Sequence, residues 1–162
     1  IGVVPQDTIL FNDTIYYNIL YGNIMSKEED VIKAAKSSGI HDFIVKLPEK
    51  YKTIVGERGL KLSGGEKQRI AIARTLLKNP NIFFFDEATS ALDSRTEKKI
   101  QTSLKYISRN KTTLIITHRL STAYYADEII VLDNGSIIER GNHSYLLKKK
   151  GKYFEMYNRQ KI

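Results

Sequence analysis

The sequence predicts an α/β fold in which helices pack around a largely parallel sheet, and two observations favour this class. Residues 82–85 are entirely apolar, residues 112–117 combine threonines with Leu114, Ile115 and Ile116, and both runs have the length of buried strands. Segments in which apolar residues recur at helical spacing lie before the first run and between the two. Strands that alternate with helices are typical of layered α/β proteins. A helical insertion is expected before residue 63.

The composition excludes several classes of protein. The chain has 162 residues, with 26 Lys and Arg against 18 Asp and Glu, which gives a formal charge of +8. It has no cysteine, which excludes a disulfide scaffold and thiolate metal sites. No apolar run approaches the roughly 18 residues of a membrane-spanning helix. The chain opens at Ile1 on what reads as the middle of a strand, so we expect a piece of a longer protein.

The first third of the chain contains a strand, a helix and a loop. Residues 2–4 form a short apolar run that Pro5 ends, as expected for a strand that runs into a loop. Residues 26–29 read Ser-Lys-Glu-Glu, the spacing of a capping box, and predict the start of a helix that Gly39 ends. Residues 52–65 are rich in glycine and charge and predict a loop.

The central part of the chain predicts two further helices and two buried strands. Apolar residues at helical spacing predict a helix over 63–78, which the Asn-Pro pair at 79–80 stops. Residues 82–85 are entirely apolar, which is typical of a strand covered on both faces. A second capping box at 94–97 starts the next helix, and 112–117 is another strand that we expect to be buried.

The last third of the chain predicts a hairpin and a helical tail. Apolar runs at 129–132 and 136–139 are separated by Asp-Asn-Gly at 133–135, which is typical of a tight turn between antiparallel strands. From His143 onwards the chain is basic, aromatic and helical in pattern.

Residues 62–69, LSGGEKQR, form the first candidate site. Two glycines after Ser63 allow close approach of a ligand, and they lie where the 63–78 helix begins. The start of a helix exposes unpaired N–H groups and a partial positive charge, which suits a phosphate. A bare Ser-Gly-Gly is more often a plain helix cap, so this motif alone favours no ligand.

Residues 82–87, IFFFDE, form the second candidate site. Asp86 and Glu87 follow an apolar strand, at the edge where open α/β sheets bind ligands. Asp86 could support Mg²⁺, which prefers oxygen ligands, and Glu87 could polarise an attacking water. The alternative is a solvated acid pair that closes a strand.

Two single residues complete the set. His118 follows the 112–117 strand and could hold a γ-phosphate or orient Glu87. Gln6 follows the first strand and offers an amide to Mg²⁺ or water. Neither residue would be informative alone.

Together these motifs resemble the nucleotide-binding domain of an ABC transporter. LSGGEKQR resembles the family's signature, IFFFDEATSALD its Walker B motif and D-loop, ITH its histidine switch and VPQ its Q-loop, in the same order and spacing. The resemblance covers essentially the whole chain. TIVGERG at 53–59 resembles exporters, and LFNDTI at 10–15 is similar to B-subfamily exporters and half-transporters of the multidrug-resistance, mitochondrial or heavy-metal-tolerance type.

The resemblance implies a P-loop NTPase-like fold with a helical signature subdomain. One partial nucleotide-binding domain would span residues 1–162, with a mainly helical part at 7–80 that carries the Q-loop and signature. Residues 81–162 would carry the Walker B motif, D-loop, histidine switch and C-terminal helices.

The resemblance also implies a role for each motif residue, with ATP and Mg²⁺ as ligands. Asp86 and Gln6 would serve Mg²⁺, Glu87 would be the general base, and His118 would hold the γ-phosphate. Residues of the signature would bind nucleotide held by the opposite protomer, and Asp93 would cross the dimer interface. The signature residues concerned are Ser63, Gly64, Gly65, Glu66 and Gln68.

The implied partners are a second nucleotide-binding domain, identical or not, and a transmembrane domain that lies upstream in the same polypeptide. The domain would then lie on the cytosolic face of a membrane, or on the matrix or stromal face of an organelle. The pattern G-x-x-x-x-G-K-[ST], which cradles phosphates in this family, is absent from the 162 residues. We therefore expect ATPase activity in the full-length protein and no appreciable activity in the isolated chain.

Two other functions remain open from the sequence. A DNA-maintenance ATPase shares the signature, and the charge of +8 suits nucleic acid, but residues 7–62 lack the heptads of the coiled coil expected there. We therefore expect no nucleic-acid partner. A non-catalytic domain that only contributes the signature to its partner is the second alternative.

Overall fold

The computed structural model describes residues 1–88, 100–102, 105 and 111–160. These residues form two compact units, Ile1–Ile116 and Thr117–Ile162. The predicted helix start at 94–97 lies outside the described residues. No helix among the described residues has the length and hydrophobicity that crossing a bilayer requires.

A three-stranded parallel sheet forms the centre of the first unit. The strands are β1 (Gly2–Val4), β2 (Ile82–Asp86) and β3 (Thr112–Ile116), in the order β1-β2-β3. Gly2 lies beside Phe83 and Val4 beside Phe85, so both pairs point to one face of the sheet. Because the strands are parallel, their carboxyl ends share one edge. The α/β class and the parallel sheet that the sequence predicts are confirmed.

Helices pack on this sheet and on one another. They are α1 (Ile15–Leu20), α2 (Glu28–Ser37), α3 (His41–Ile44) and α4 (Gly64–Lys78), with single 3₁₀ turns at Lys50–Lys52 and Glu57–Gly59. Helix α4 contacts β1, α1 and α2 and contributes much of the core of this unit. The fully buried apolar side chains include Val4, Ile15, Ile19, Val31, Ile40, Ile44, Ile70, Ile72 and Ile100.

Helix α2 begins one residue later than the capping box at 26–29 predicts. Its N-cap is Lys27, whose backbone N–H donates to Asp30 Oδ2 at 3.2 Å. Ser26 instead belongs to the preceding turn, because its N–H donates to the carbonyl of Asn23 at 3.0 Å. The predicted cap is therefore wrong by one residue, whereas the predicted end is confirmed: Gly39 follows the helix with φ of +71°.

Strands β2 and β3 are less buried than the sequence predicts. Phe83 and Phe85 of β2 are buried, but Ile82 on the same strand is exposed. Strand β3 is largely exposed, and Leu114 keeps 54% of its accessible surface. Among the described residues β3 has a neighbouring strand on one side only. The prediction that these strands are buried is therefore wrong for β3. The prediction that β2 is covered on both faces is also wrong, since only the face with Phe83 and Phe85 is buried.

The turn after α1 approaches the backbone of α4 closely. A methyl group added at Gly22 would lie 2.0 Å from the main-chain oxygen of Arg74. Since backbone cannot move aside as a flexible side chain can, we expect Gly22→Ala to lower the free energy of unfolding by about 3 kcal/mol, within the range for overpacked sites. Urea unfolding measures the change.

The control for Gly22→Ala is Gly39→Ala in the same unit. The nearest atom to a methyl group at Gly39 is 3.9 Å away, so only its positive φ opposes the change, at a cost of about 1 kcal/mol. Equal losses in the two variants would contradict the close approach of the Gly22 turn to α4.

The described part of the second unit, residues 117–160, contains a hairpin and three helices. Its elements are α5 (Leu120–Ala123), β4 (Ile129–Asp133), β5 (Ser136–Gly141), α6 (His143–Lys149) and α7 (Lys152–Gln160). Strands β4 and β5 are antiparallel, and Asn134 and Gly135 between them both have positive φ, as in the favoured two-residue hairpin turns. The hairpin and helical tail that the sequence predicts are confirmed. The carboxylate of Glu139 is buried and accepts from Tyr153 N at 2.8 Å.

Candidate functional site

Three of the sequence-predicted residues lie at the carboxyl edge of the sheet. Asp86 ends β2 and Glu87 follows it, and both side chains are half-buried. Gln6 follows β1, and its Nε2 donates to Glu87 Oε2 at 3.2 Å. These two residues are 81 positions apart in the chain, and the parallel pairing of β1 with β2 brings them together. The edge therefore presents two carboxylates and an amide to solvent.

The backbone of Glu87 has an unusual conformation that its neighbours hold. Its φ is +45°, which is uncommon for a residue other than glycine. Its N–H donates to the carbonyl of Ile116 at 2.9 Å, which continues the pairing of β2 with β3. Its carbonyl accepts from Gln68 Nε2 at 3.2 Å. Backbone in this region persists where surrounding contacts determine it, and such residues cluster at functional sites.

Ser63 caps α4 as the sequence predicts, and the cap faces solvent. Ser63 N donates to Glu66 Oε2 at 2.8 Å, and Glu66 N donates to Ser63 Oγ at 3.4 Å, which together form a capping box. Ser63 and Gly64 are exposed and Gly65 is half-buried. A hydroxyl that accepts a hydrogen bond keeps its own proton to donate. The tip of α4 is thus accessible to an anion, with the Glu66 carboxylate already engaged in the cap.

The remaining predicted residues lie elsewhere. Gln68 is only 2% exposed, so it lies inside the first unit beneath the helix tip. His118 belongs to the second unit, where its side chain is exposed and its carbonyl accepts from Gln160 Nε2 at 2.6 Å. Asp93 lies outside the described residues.

The donors at the sheet edge fit Mg²⁺ that is bound together with a polyphosphate. The described residues contain no group of three His, Cys, Asp or Glu side chains that could hold a metal by themselves. Mg²⁺ in nucleotide sites needs only one or two carboxylates, since phosphate oxygens and water complete its shell. Asp86 supplies one carboxylate at this edge, and the exposed tip of α4 has the chemistry for a phosphate.

A hydrogen-bond network around Asn18 of α1 is not evident from the sequence. It holds the loop between β1 and α1, residues 5–14, against α4. Asn18 is completely buried, and its Oδ1 accepts from Phe11 N at 2.9 Å and from Arg74 Nη2 at 2.9 Å. Arg74 Nε also donates to the carbonyl of Asn18 at 2.8 Å, and its guanidinium lies 5.3 Å from the ring centre of Phe11. Burial lowers the pKa of Arg74 from its ordinary value. The signal that the sequence carries is weak: an asparagine that two apolar residues, Ile19 and Leu20, follow.

Comparison with known proteins gives one family. Residues 1–90 match the family model described as ABC transporter. The mitochondrial iron-sulfur clusters transporter ABCB7 of Danio rerio is 58% identical over 161 residues, which is 99% of this chain and 22% of that protein. An ATM1-type heavy metal exporter of Novosphingobium aromaticivorans is 57% identical over 160 residues, 99% of this chain and 26% of that protein.

A solved structure gives the same result. The structure of a bacterial Atm1-family ABC exporter with ATP bound matches 99% of this chain and 28% of its own, with 56% identity and a TM-score of 0.96. The chain therefore spans about a quarter of the length of the proteins that it matches.

Proposed function

The chain belongs to the ABC transporter family, and from this premise we propose that it is part of the ATP-hydrolysing motor domain of an exporter. The observation that carries the proposal is the Glu87 carboxylate, which lies at the ligand edge of the sheet beside Asp86 and within hydrogen-bond distance of Gln6. A carboxylate next to a metal-binding acid is placed to act as general base in phosphoryl transfer. ATP and Mg²⁺ are the proposed ligands.

In the proposed reaction, Glu87 accepts a proton from the water that attacks the γ-phosphoryl group. Asp86 and the amide oxygen of Gln6 would hold Mg²⁺, which when bound neutralises charge on the phosphates. The Gln6 amide also holds the Glu87 carboxylate in place through its N–H, at 3.2 Å. His118 would hold the γ-phosphate. Positioning and electrostatic stabilisation supply most of the catalysis in this chemistry.

The tip of α4 would act on nucleotide that the opposite protomer holds. Ser63, Gly64 and Gly65 are accessible in the first unit, and their amides and hydroxyl are donors for a phosphate. Glu66 keeps Ser63 in its capping conformation through the 2.8 Å bond from Ser63 N. Asp93 would cross the dimer interface. Donors supplied by a second domain make hydrolysis depend on dimerisation.

The type of transporter and its transmembrane domain are proposed from the relatives. They carry the names of a mitochondrial transporter and a heavy metal exporter, and each matches 99% of this chain. We propose an exporter of the same type, with a transmembrane domain in the same polypeptide and this domain on the cytosolic or matrix face. The DNA-maintenance alternative is not favoured, because the relatives named above are transporters.

ATPase measurements on two proteins test this function. We expect the full-length transporter in lipid to hydrolyse ATP when Mg²⁺ is present, and the isolated 162 residues to show no appreciable turnover. The reason is that the chain lacks G-x-x-x-x-G-K-[ST], whose backbone amides and lysine hold the phosphates in P-loop proteins.

Chelation of Mg²⁺ by EDTA is the control for the full-length protein. Absence of Mg²⁺-dependent turnover there would contradict the motor function and favour a non-catalytic partner domain. Turnover by the isolated chain would contradict the need for the missing phosphate loop.

A further inference from the structure

Gln68 lies within the signature motif but does not reach the solvent-exposed tip of α4. Its side chain is 2% exposed, and its Nε2 donates to the main-chain carbonyl of Glu87 at 3.2 Å. We propose that Gln68 is a positioning residue that holds the backbone of the general base, and not a nucleotide contact. This inference rests on the proposed function, in which Glu87 is that base.

The conformation of Glu87 explains why such a contact matters. Its φ of +45° places it in the left-handed region, which costs side-chain-bearing residues of order 1 kcal/mol or more. A change in φ or ψ at this residue would swing the carboxylate away from the water that it activates. The Ile116 carbonyl holds the N–H side of Glu87 at 2.9 Å, and Gln68 holds its carbonyl side.

The position of Gln68 also connects two parts of the proposed site. Helix α4 carries Ser63 at its N-cap and Gln68 on its second turn, and five residues of α-helix span about 7.5 Å. Helix α4 therefore presents its N-terminal tip to the proposed phosphate and, through Gln68, also holds Glu87, the proposed general base of the same chain. A phosphate bound at the tip and the geometry of Glu87 are linked through this helix.

The test is Gln68→Met in the full-length transporter, because methionine matches glutamine in length and lacks the amide donor. We expect kcat for Mg²⁺-dependent ATP hydrolysis to fall about 10- to 100-fold, since a misplacement of about 1 Å can cost that much. We expect KM for ATP to stay within about threefold, because the substitution removes no contact with nucleotide.

The matched control is Thr75→Val on the same helix. Thr75 is buried, and its Oγ1 donates to the main-chain carbonyl of Val3 at 3.3 Å, so this variant also removes one buried bond from α4 to backbone. We expect Thr75→Val to leave kcat within about twofold of the parent. Thermal unfolding of both variants establishes that each is folded.

The outcomes separate the two proposals. A raised KM with unchanged kcat in Gln68→Met would overturn the positioning role and favour a nucleotide contact. Equal kcat values in Gln68→Met and Thr75→Val would overturn it too. If the parent transporter lacked turnover, or Glu87→Gln retained it, the proposed function itself would fail.

Discussion

Glu87→Gln is expected to lower ATP hydrolysis by the full-length transporter about 10²- to 10⁴-fold, the usual contribution of a general base. The amide is nearly isosteric with the carboxylate but cannot take a proton from water. It can still accept the hydrogen bond from Gln6 Nε2, which now lies 3.2 Å from Glu87 Oε2. We therefore expect the sheet edge to keep its structure and ATP binding to persist. Steady-state turnover and nucleotide binding measure the two quantities.

The control for this variant is Glu29→Gln on α2. Glu29 is an exposed carboxylate outside the site, and its neutralisation changes the net charge by the same amount. We expect Glu29→Gln to keep turnover within about twofold of the parent. If Glu87→Gln retained more than a third of the parent's kcat, Glu87 would not be the base, and a different group would have to accept the proton.

The sequence predicts the elements that bear the site because local rules determine them. The helix that begins after Ser63 follows from the capping pattern and helical spacing, and Ser63 is its observed N-cap. The strand before Asp86 follows from an unbroken apolar run bounded by Asn-Pro and an acid pair. The turn at Asn134 and Gly135 follows from the preference of these residues for positive φ.

Tertiary contacts determine the features that the sequence does not predict. The positive φ of Glu87 depends on bonds to Ile116 and Gln68, which are distant along the chain. The exposure of β3 is not readable from its composition, because a strand of threonine, leucine and isoleucine looks the same whether or not another layer covers it. The helix start at Lys27 depends on a bond from Ser26 N to Asn23, which competes with the predicted cap.

The network that holds the loop between β1 and α1 also depends on tertiary contacts that the sequence does not predict. Asn18 accepts from Phe11 N and Arg74 Nη2, and its Nδ2 donates to the carbonyls of Phe11 and Thr14 at 3.1 and 3.0 Å. The segment that follows Gln6 is thereby attached through α1 to α4, the helix that carries the signature. A buried polar group with its partners satisfied stabilises a unique arrangement, whereas removing it leaves several groups without a partner.

Asn18→Leu, which is close to isosteric, is expected to destabilise this attachment by about 3–5 kcal/mol. It removes the acceptor that Phe11 N and Arg74 Nη2 share, and each polar group that loses its partner costs about 1–3 kcal/mol. Hydrogen exchange measures the loss: amides of α1 should exchange at least about 100-fold faster than in the parent.

Asn12→Leu is the matched control, because Asn12 is exposed in the same segment and its substitution should cost about 0.5 kcal/mol or less. If exchange in α1 changed equally in the two variants, the Asn18 network would not be what holds the loop. If only Asn18→Leu speeds hydrogen exchange in α1 and also lowers ATPase activity, then Asn18 holds the loop between β1 and α1. That loop carries Gln6, so the position of the Gln6 amide beside Glu87 would depend on Asn18.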